Sequence, residues 1–399
     1  MLRTTIDSLL GAGLLRLIGT PILLISALLT LSPALADDRL VYAGFAFAGE
    51  SDDRQHLYPI SAELAEETVG TDLLLDMTLR QKLLARAQLA SRVTLEGSDG
   101  KLDLSSLAFS LVQERVETQK IGNDYWVIVS LQANVLVFNK TSSSLLASYP
   151  LRMQVTSTQS MPPSRQQLKT LIRDIYTTSD PARNIFDQWL NRFAKITLRS
   201  GARKYLRVTD IAVSPEAQRV MFGAGKDVRA IRNQLAILME SAISEKAGVS
   251  VVPSMLGEAI GAKMALSFTD GSFYSLTLPE ADFAVSFTVR DFVSKTLDKP
   301  SHFEDIYRVK ASIAIKEPLS GRAFIDEGVY HTVFPIRPKS ANVEFDAWEQ
   351  YFKTTQSLIA MLGEQMINVN DEWLASNASR ALDAKPGFVR AQQLLQELK

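Results

Sequence analysis

A few groups in this sequence have the type and spacing that chemistry needs. His302-Phe303-Glu304-Asp305 sets an imidazole beside two carboxylates, a combination able to hold a cation or relay a proton. The second histidine of a helical zinc motif is missing, and the segment reads as a solvated loop between strands. His331 lies in the strand-like run Val329-Tyr330-His331-Thr332-Val333 and reads as a structural residue, and His56 sits in a polar loop without an evident partner. Ser98-Asp99-Gly100-Lys101 has the serine-x-x-lysine spacing that places an amine beside a hydroxyl on a helix, but Gly97 and Gly100 make a turn there, and the companion motifs are absent. Gly223-Ala224-Gly225-Lys226 suggests a phosphate loop. The first glycine of that pattern would fall on Val220, however, and Asp227 stands where serine or threonine belongs. Glu280 and Asp282 form an acidic pair of the kind that cleaves glycosides, a chemistry set by a carboxylate separation that sequence does not fix. No catalytic, cofactor-binding or metal-ligating residue is assigned on these grounds.

The start of the chain specifies where such chemistry would have to work. Arg3 and Arg16 flank mostly apolar sequence, then comes Ile22 to Leu31, and Pro33 precedes Ala34-Leu35-Ala36. Basic flank, apolar stretch and small residues in that order read as a secretory signal peptide over 1–36, cleaved after Ala36, which places the protein in a periplasm. The apolar run is shorter than the about 20 residues a membrane span needs. The chain has no cysteine. That excludes disulfides, thiolate metal sites, cysteine nucleophiles and a lipid-bearing cysteine. An exported protein of this size without disulfides points to a bacterial envelope, where the sequons at Asn139 and Asn377 are chance matches. Without Arg3, Arg16 and Asp7, the 43 basic and 44 acidic residues become 41 and 43, a formal charge of −2. Neither that balance nor any local run supplies the basic stripe that nucleic acid requires.

Behind these residues lies a repeated order of elements. Opening strands are expected at 40–48 and 205–213, each followed by an amphipathic helix, through Leu74, Met77, Leu83 and Leu84 in one copy and Ile231, Leu235, Leu238 and Met239 in the other. Gly248 stops the second helix. Short buried strands follow at 93–95 and 249–252. Then come three-strand meanders at 107–116, 125–137 and 145–155, and at 283–290, 307–315 and 322–333, with the polar stretch 297–305 between two of them. Helices at 166–176, 181–195 and 345–366 close the copies. Alternation of Tyr307, Val309, Ala311 and Ile313 with Arg308, Lys310 and Ser312 gives a sheet with one buried and one polar face. The fold class is therefore α+β or mixed-sheet α/β in two related domains, 37–200 and 201–368, plus a helical hairpin over 369–399 turning at Lys385-Pro386-Gly387.

The second copy resembles a periplasmic α/β module shared by the curli-secretion lipoprotein family and the amino-terminal domain of the Tol system's β-propeller protein. The likeness rests on the strand at Tyr205, the helix ending near Gly248, Val249 to Val252, the strand entry Ala281-Asp282-Phe283 and the turn at Ser320-Gly321. It implies an assembly or adaptor role; the family's lipidated cysteine is missing. The expectation is a non-catalytic envelope protein, active in secretion, appendage or outer-membrane assembly, whose sheet edges and loops meet envelope or secretion proteins. The alternatives are a carboxylate-dependent glycan or peptide hydrolase and a small-molecule binder with its ligand between the domains. No cofactor, no nucleic acid and no membrane span after signal cleavage are expected.

Overall fold

Long runs of alternating apolar and polar residues build two sheets, and helices of 3.6-residue period cover one face of each. A computed structural model describes residues 39–49, 52, 54–95, 105–197, 203–254, 263–340 and 345–399. The expected signal peptide 1–36 and the Ser98–Lys101 motif lie outside the described residues.

The first half opens with strand β1 (Leu40–Ala48), helices α1 (Arg54–Leu57) and α2 (Ser61–Ala65), and the minimal strands β2 (Thr68–Val69) and β3 (Asp72–Leu73). Helices α3 (Leu74–Leu84) and α4 (Ala87–Ala90) and strand β4 (Val93–Thr94) come next, then the long strands β5 (Ser105–Ile121), β6 (Asp124–Asn139) and β7 (Ser144–Gln159), and helices α5 (Arg165–Thr177) and α6 (Ile185–Ala194). Strand β6 alternates so that Val127, Val129, Leu131 and Val135 join a core with Phe45, Phe109, Phe186 and Trp189 under the helices. A capping box starts α5, with Ser164 and Gln167 satisfying each other's backbone N–H, and the Asn184 side chain accepts from Phe186 and Asp187 at the start of α6.

The second half runs β8 (Leu206–Val213), α7 (Pro215–Gly223), α8 (Val228–Ala247), β9 (Val251–Val252), β10 (Lys263–Phe268), β11 (Phe273–Thr277), β12 (Phe283–Asp298), β13 (His302–Lys316), β14 (Ala323–Val333), β15 (Ile336–Pro338), α9 (Ala347–Gln365), α10 (Asp371–Asn377) and α11 (Ala381–Glu397). Asp227 caps α8, and Gly248, at φ 74°, ends it in the left-handed conformation that a side chain would oppose. Its core joins Val285, Phe287, Val309 and Ile313 of the sheet to Leu235, Met239, Leu358 and Phe388 of the helices.

Strand order in the first sheet contains β7-β6-β5-β1-β4, and in the second β14-β13-β12-β8-β9. In both, the opening strand pairs in parallel with its two neighbours, and the meander is antiparallel. Hairpin β10–β11 breaks the correspondence. It leaves its own half, pairing β10 with β1 and β11 with β7, so that β1, β5, β6, β7, β11 and β10 close into a ring. The ring is filled by Leu136, Phe138, Met264, Leu266, Phe268 and Leu276. Asp76 of α3 ties it further. Its carboxylate accepts from Phe45 N at 2.8 Å and from the Thr269 hydroxyl in the β10–β11 turn. Gly44 makes room for it at a bulge in β1, where a Cβ would lie 2.9 Å from Asp76 Oδ1. Residues 39–399 thus form one compact unit.

Two expectations are corrected. The stretch 297–305 is not a loop. Strand β12 continues to Asp298 and β13 begins at His302, paired through Leu297–Glu304 and Thr296–Asp305. Polar side chains there also take inward-facing positions, where Thr296 pairs with Asp305, so the alternation that marks a strand with one buried face is lost. The turn at Lys385-Pro386-Gly387 is also absent, since α11 runs continuously through it. The chain turns earlier, where Ala378 bridges Val329 and Ser379 N donates to Gly328 O at 2.8 Å. Gly328 permits this approach, because a Cβ would stand 2.6 Å from Ser379 Oγ.

Candidate functional site

The groups first considered for chemistry do not converge. His56 lies on α1, exposed; His302 begins β13, its Nδ1 3.1 Å from Ser301 Oγ; and His331 sits on β14 opposite Val309. Burial pulls the His331 imidazole below its usual range, against a hydrogen bond with Asn377. No group of three or more potential ligands is placed to hold a metal among the described residues. At Gly223–Lys226 the amides that a phosphate would need are spent on the end of α7: Ala224 N donates to Val220 O, Gly225 N to Phe222 O and Lys226 N to Met221 O. Glu280 is exposed, whereas Asp282 accepts from Tyr205 N at 2.7 Å and so fastens the start of β8 beside β12. That bond gives the alanine-aspartate strand entry a structural reason.

Between the halves lies a polar seam. Helix α8 touches β7 on one side and β8 and α9 on the others. Arg115 donates to Gln234 at 2.7 Å and stacks on Phe352, Gln119 Nε2 donates to Glu349 at 2.8 Å, and Arg152 N donates to Glu245 at 2.9 Å. Burial raises the Glu245 carboxyl and lowers the Arg152 guanidinium. The hollow lined by Gln113, Arg115, Gln132, Arg152, Gln234 and Gln356 measures about 10 Å³, the scale of one water. Its size suits a packed interface and not a small-molecule site.

A different surface stands open. Register places Asp291, Lys310 and Tyr330 on one face of the second sheet, then Val293, Arg308 and Thr332, then Lys295 and Ile306, then Leu297, Glu304 and Ile336. The opposite face is the core side, where Phe292 meets Trp348 and Tyr351 and Tyr307 meets Tyr351. The inner part of the outer face is polar and self-paired. Lys310 meets Asp291 at 3.1 Å, and Arg308 donates to Thr332 while stacking on Tyr330. Its far end mixes the charged Lys295 and Glu304 with apolar side chains, Val293 39 %, Phe334 55 % and Ile336 60 % exposed beside half-buried Leu297 and Ile306.

The far end is held by a buried clamp. Asp305, 3 % exposed, accepts from Thr296 Oγ1 at 2.6 Å and from Arg337 Nη2 at 3.1 Å, and its N–H donates to Pro335 O at 2.9 Å. Arg337, then Thr296, hold its carboxyl below the usual range against burial. The clamp pins β15 to β13 and leaves Phe334 and Ile336 facing outward. Sequence reading did not single these residues out, because a Phe-Pro-Ile run looks like core.

No family model matches the chain, the curli-secretion and Tol-system resemblance included, and no curated protein matches it. Among solved structures, it is similar to a Xanthomonas campestris protein of family DUF330 at 10% identity, over 42% of this chain and 82% of that one, with a TM-score of 0.21. It is similar to a minor lipoprotein from Acinetobacter baumannii at 12% identity, over 41% and 88%, with a TM-score of 0.21. A neuraminyllactose-binding hemagglutinin homologue from Helicobacter pylori matches at 10% identity, over 46% and 96%, with a TM-score of 0.23. Likenesses at that level carry no argument about this chain, whose described residues form a mixed α/β structure with no helix long and apolar enough to cross a membrane.

Proposed function

We propose that the chain is an exported, non-catalytic adaptor or assembly factor of the bacterial cell envelope, and that it binds other proteins through the outer face of its second sheet. The observation that carries this reading is the exposure of Phe334 and Ile336, two residues apart, at the end of that face. Scattered apolar residues are ordinary on a surface, but a cluster on one rigid sheet is what a protein interface uses. Fully covering a Phe or Ile side chain is worth about 1.5–3 kcal/mol. The polar inner part of the same face would form the rim of such a contact. The export half of the reading rests on the residue pattern of 1–36. The strand order common to the two sheets supports two related domains, 37–200 and 201–368, as the frame that presents the face.

The test is gentle crosslinking in the periplasmic fraction, with the mature chain from Asp37 as bait, in native form and as the Phe334→Asp/Ile336→Asp variant. A stoichiometric envelope protein held by the native face and lost by a folded variant supports the reading. Equal recovery by both, or isolation of the native chain alone while control complexes crosslink, refutes it.

A further inference from the structure

Strand β7 outruns its neighbours on one side. It pairs with β6 along its whole length to Gln159, but on its other edge β11 meets it only at Ser144. Even-numbered residues point their backbone groups to that free edge. Pro150, which has no N–H, sits opposite Asn134 in the ladder, and Ser148 N and Arg152 N donate outward, to Ser250 Oγ at 3.0 Å and Glu245 Oε1 at 2.9 Å. Side chains from the second half therefore cap the edge up to Arg152. Beyond it, Gln154, Thr156 and Thr158 are exposed, and their outward N–H and C=O groups have no partner among the described residues.

Proteins ordinarily guard such an edge with charge. The free stretch of β12 is guarded, carrying Asp291, Lys295 and Asp298. On β7 there is no charged residue from Met153 to Ser164, and the edge itself reads Gln-Val-Thr-Ser-Thr, a neutral β-forming run. It is also self-complementary. Turned about Thr156 and laid antiparallel, a second copy would set Thr156 against Thr156 and Gln154 against Thr158. All of these are outward-facing residues, so each pair exchanges both N–H···O bonds without opposing like charges. Trp126, paired with Thr158 and 41 % exposed, and Met161, 69 % exposed, flank the seam with apolar surface.

We propose that this chain forms a twofold dimer by pairing β7 with β7 of a second copy over residues 154–158, which joins the two first sheets into one. The interface is isologous, as a closed dimer requires. It involves a different surface from the outer face of the second sheet and holds or fails independently of it.

The chain's lack of cysteine makes the test specific. In the proposed register Thr156 faces its own copy at a Cα separation of about 5.5 Å, within the roughly 4.4–6.8 Å that a disulfide spans. Under mild oxidation the purified Thr156→Cys protein should become a covalent dimer at least tenfold faster than Thr158→Cys, whose position faces Gln154 of the other copy. Sedimentation should give the native protein twice the chain mass. Thr156→Pro should give a monomer with unchanged circular dichroism, because proline at an outward position spares the β6–β7 ladder, as Pro150 already does. A native protein that sediments as a monomer overturns the proposal, as does a dimer that survives Thr156→Pro or equal crosslinking by the two cysteines. A native monomer that instead takes up an extended strand of another protein at this edge also overturns it.

Discussion

Glu240 gives the second half a pH dependence that one substitution should remove. It sits on α8, 3 % exposed, and accepts from Ser254 N, with half-buried Arg207 on β8 as its nearest opposing charge. Burial raises its carboxyl to about 7 from 4.5, against the opposing hydrogen bonds of Ser254 and the charge of Arg207. Between those two values the unfolded chain releases a proton that the folded chain keeps. Stability therefore falls as pH rises through the interval, is unaffected by this group below it, and carries the full cost above it. A shift of about 2.5 units at about 1.4 kcal/mol each gives a cost on the order of 3 kcal/mol at pH 8. Glu240→Gln keeps the shape and an acceptor for Ser254 N but removes the charge. Urea denaturation of both proteins from pH 4 to pH 8 should show nearly equal stability at pH 4, with the variant pulling ahead to about 3 kcal/mol at pH 8. The other burial-raised carboxyls, Asp76, Glu114 and Glu245 among them, are common to both proteins and cancel in the difference. A difference that stays flat across the range, or a native protein that is the more stable at pH 8, would mean that Glu240 does not set this pH dependence.

Two further substitutions test the packing that positions these surfaces. Asp187 of α6, 7 % exposed, bonds Lys82 at 2.6 Å and Arg86 at 2.7 Å; Asp187→Ala removes the counter-charge of both cations, leaving Arg86 with Asn191 and Lys82 with Thr178 O, and should lower the denaturation free energy by about 1–3 kcal/mol. Gly363→Ala on α9 would favour the helix by about 1 kcal/mol through propensity alone. A Cβ there, however, meets Ala242 O of α8 at 2.7 Å, so the helices must part and the net effect should be a loss of about 1–3 kcal/mol in the same assay. A stabilised Gly363→Ala protein would show that α8 and α9 do not approach so closely.

How much of this the sequence revealed depended on whether the deciding interaction was local. Strand β1, helix α3, the helix stop at Gly248 and the inner parts of both meanders follow from period, capping and turn residues within short windows. The β10–β11 hairpin did not. Each of its strands is six residues or fewer, and its partner β1 lies more than two hundred residues earlier, so nothing in the window names the sheet it joins. Pro386 signalled a break that α11 does not make. The Ala378 bridge fixes the turn one helix earlier, and Gly387 lies against Ile325 at a distance where a Cβ would stand 3.5 Å from Cγ1. At the proposed surfaces, the neutral run from Met153 to Ser164 was visible in the letters. That it lies on an unpaired edge was not, since edge status belongs to topology.

Both proposed surfaces share one geometric origin. The meander strands β5, β6, β7, β12 and β13 are 15 to 17 residues long, whereas the opening strands β1 and β8 that flank them are 9 and 8. Pairing with β1 ends at Leu111 and pairing with β8 ends at Val289. At about 3.3 Å per residue, the meanders extend well beyond the sheet their opening strand supports. The excess length produces arms, the first ending in the bare edge at Thr156 and the second in the exposed pair Phe334 and Ile336. In the second arm, the buried Asp305–Arg337 clamp adds a third strand to the end instead of leaving it a two-stranded ribbon, which alone would be marginally stable. A buried ion pair costs desolvation that a compact sheet could avoid. Its presence there is accounted for if the arm must stay rigid while Phe334 and Ile336 remain uncovered until a partner meets them.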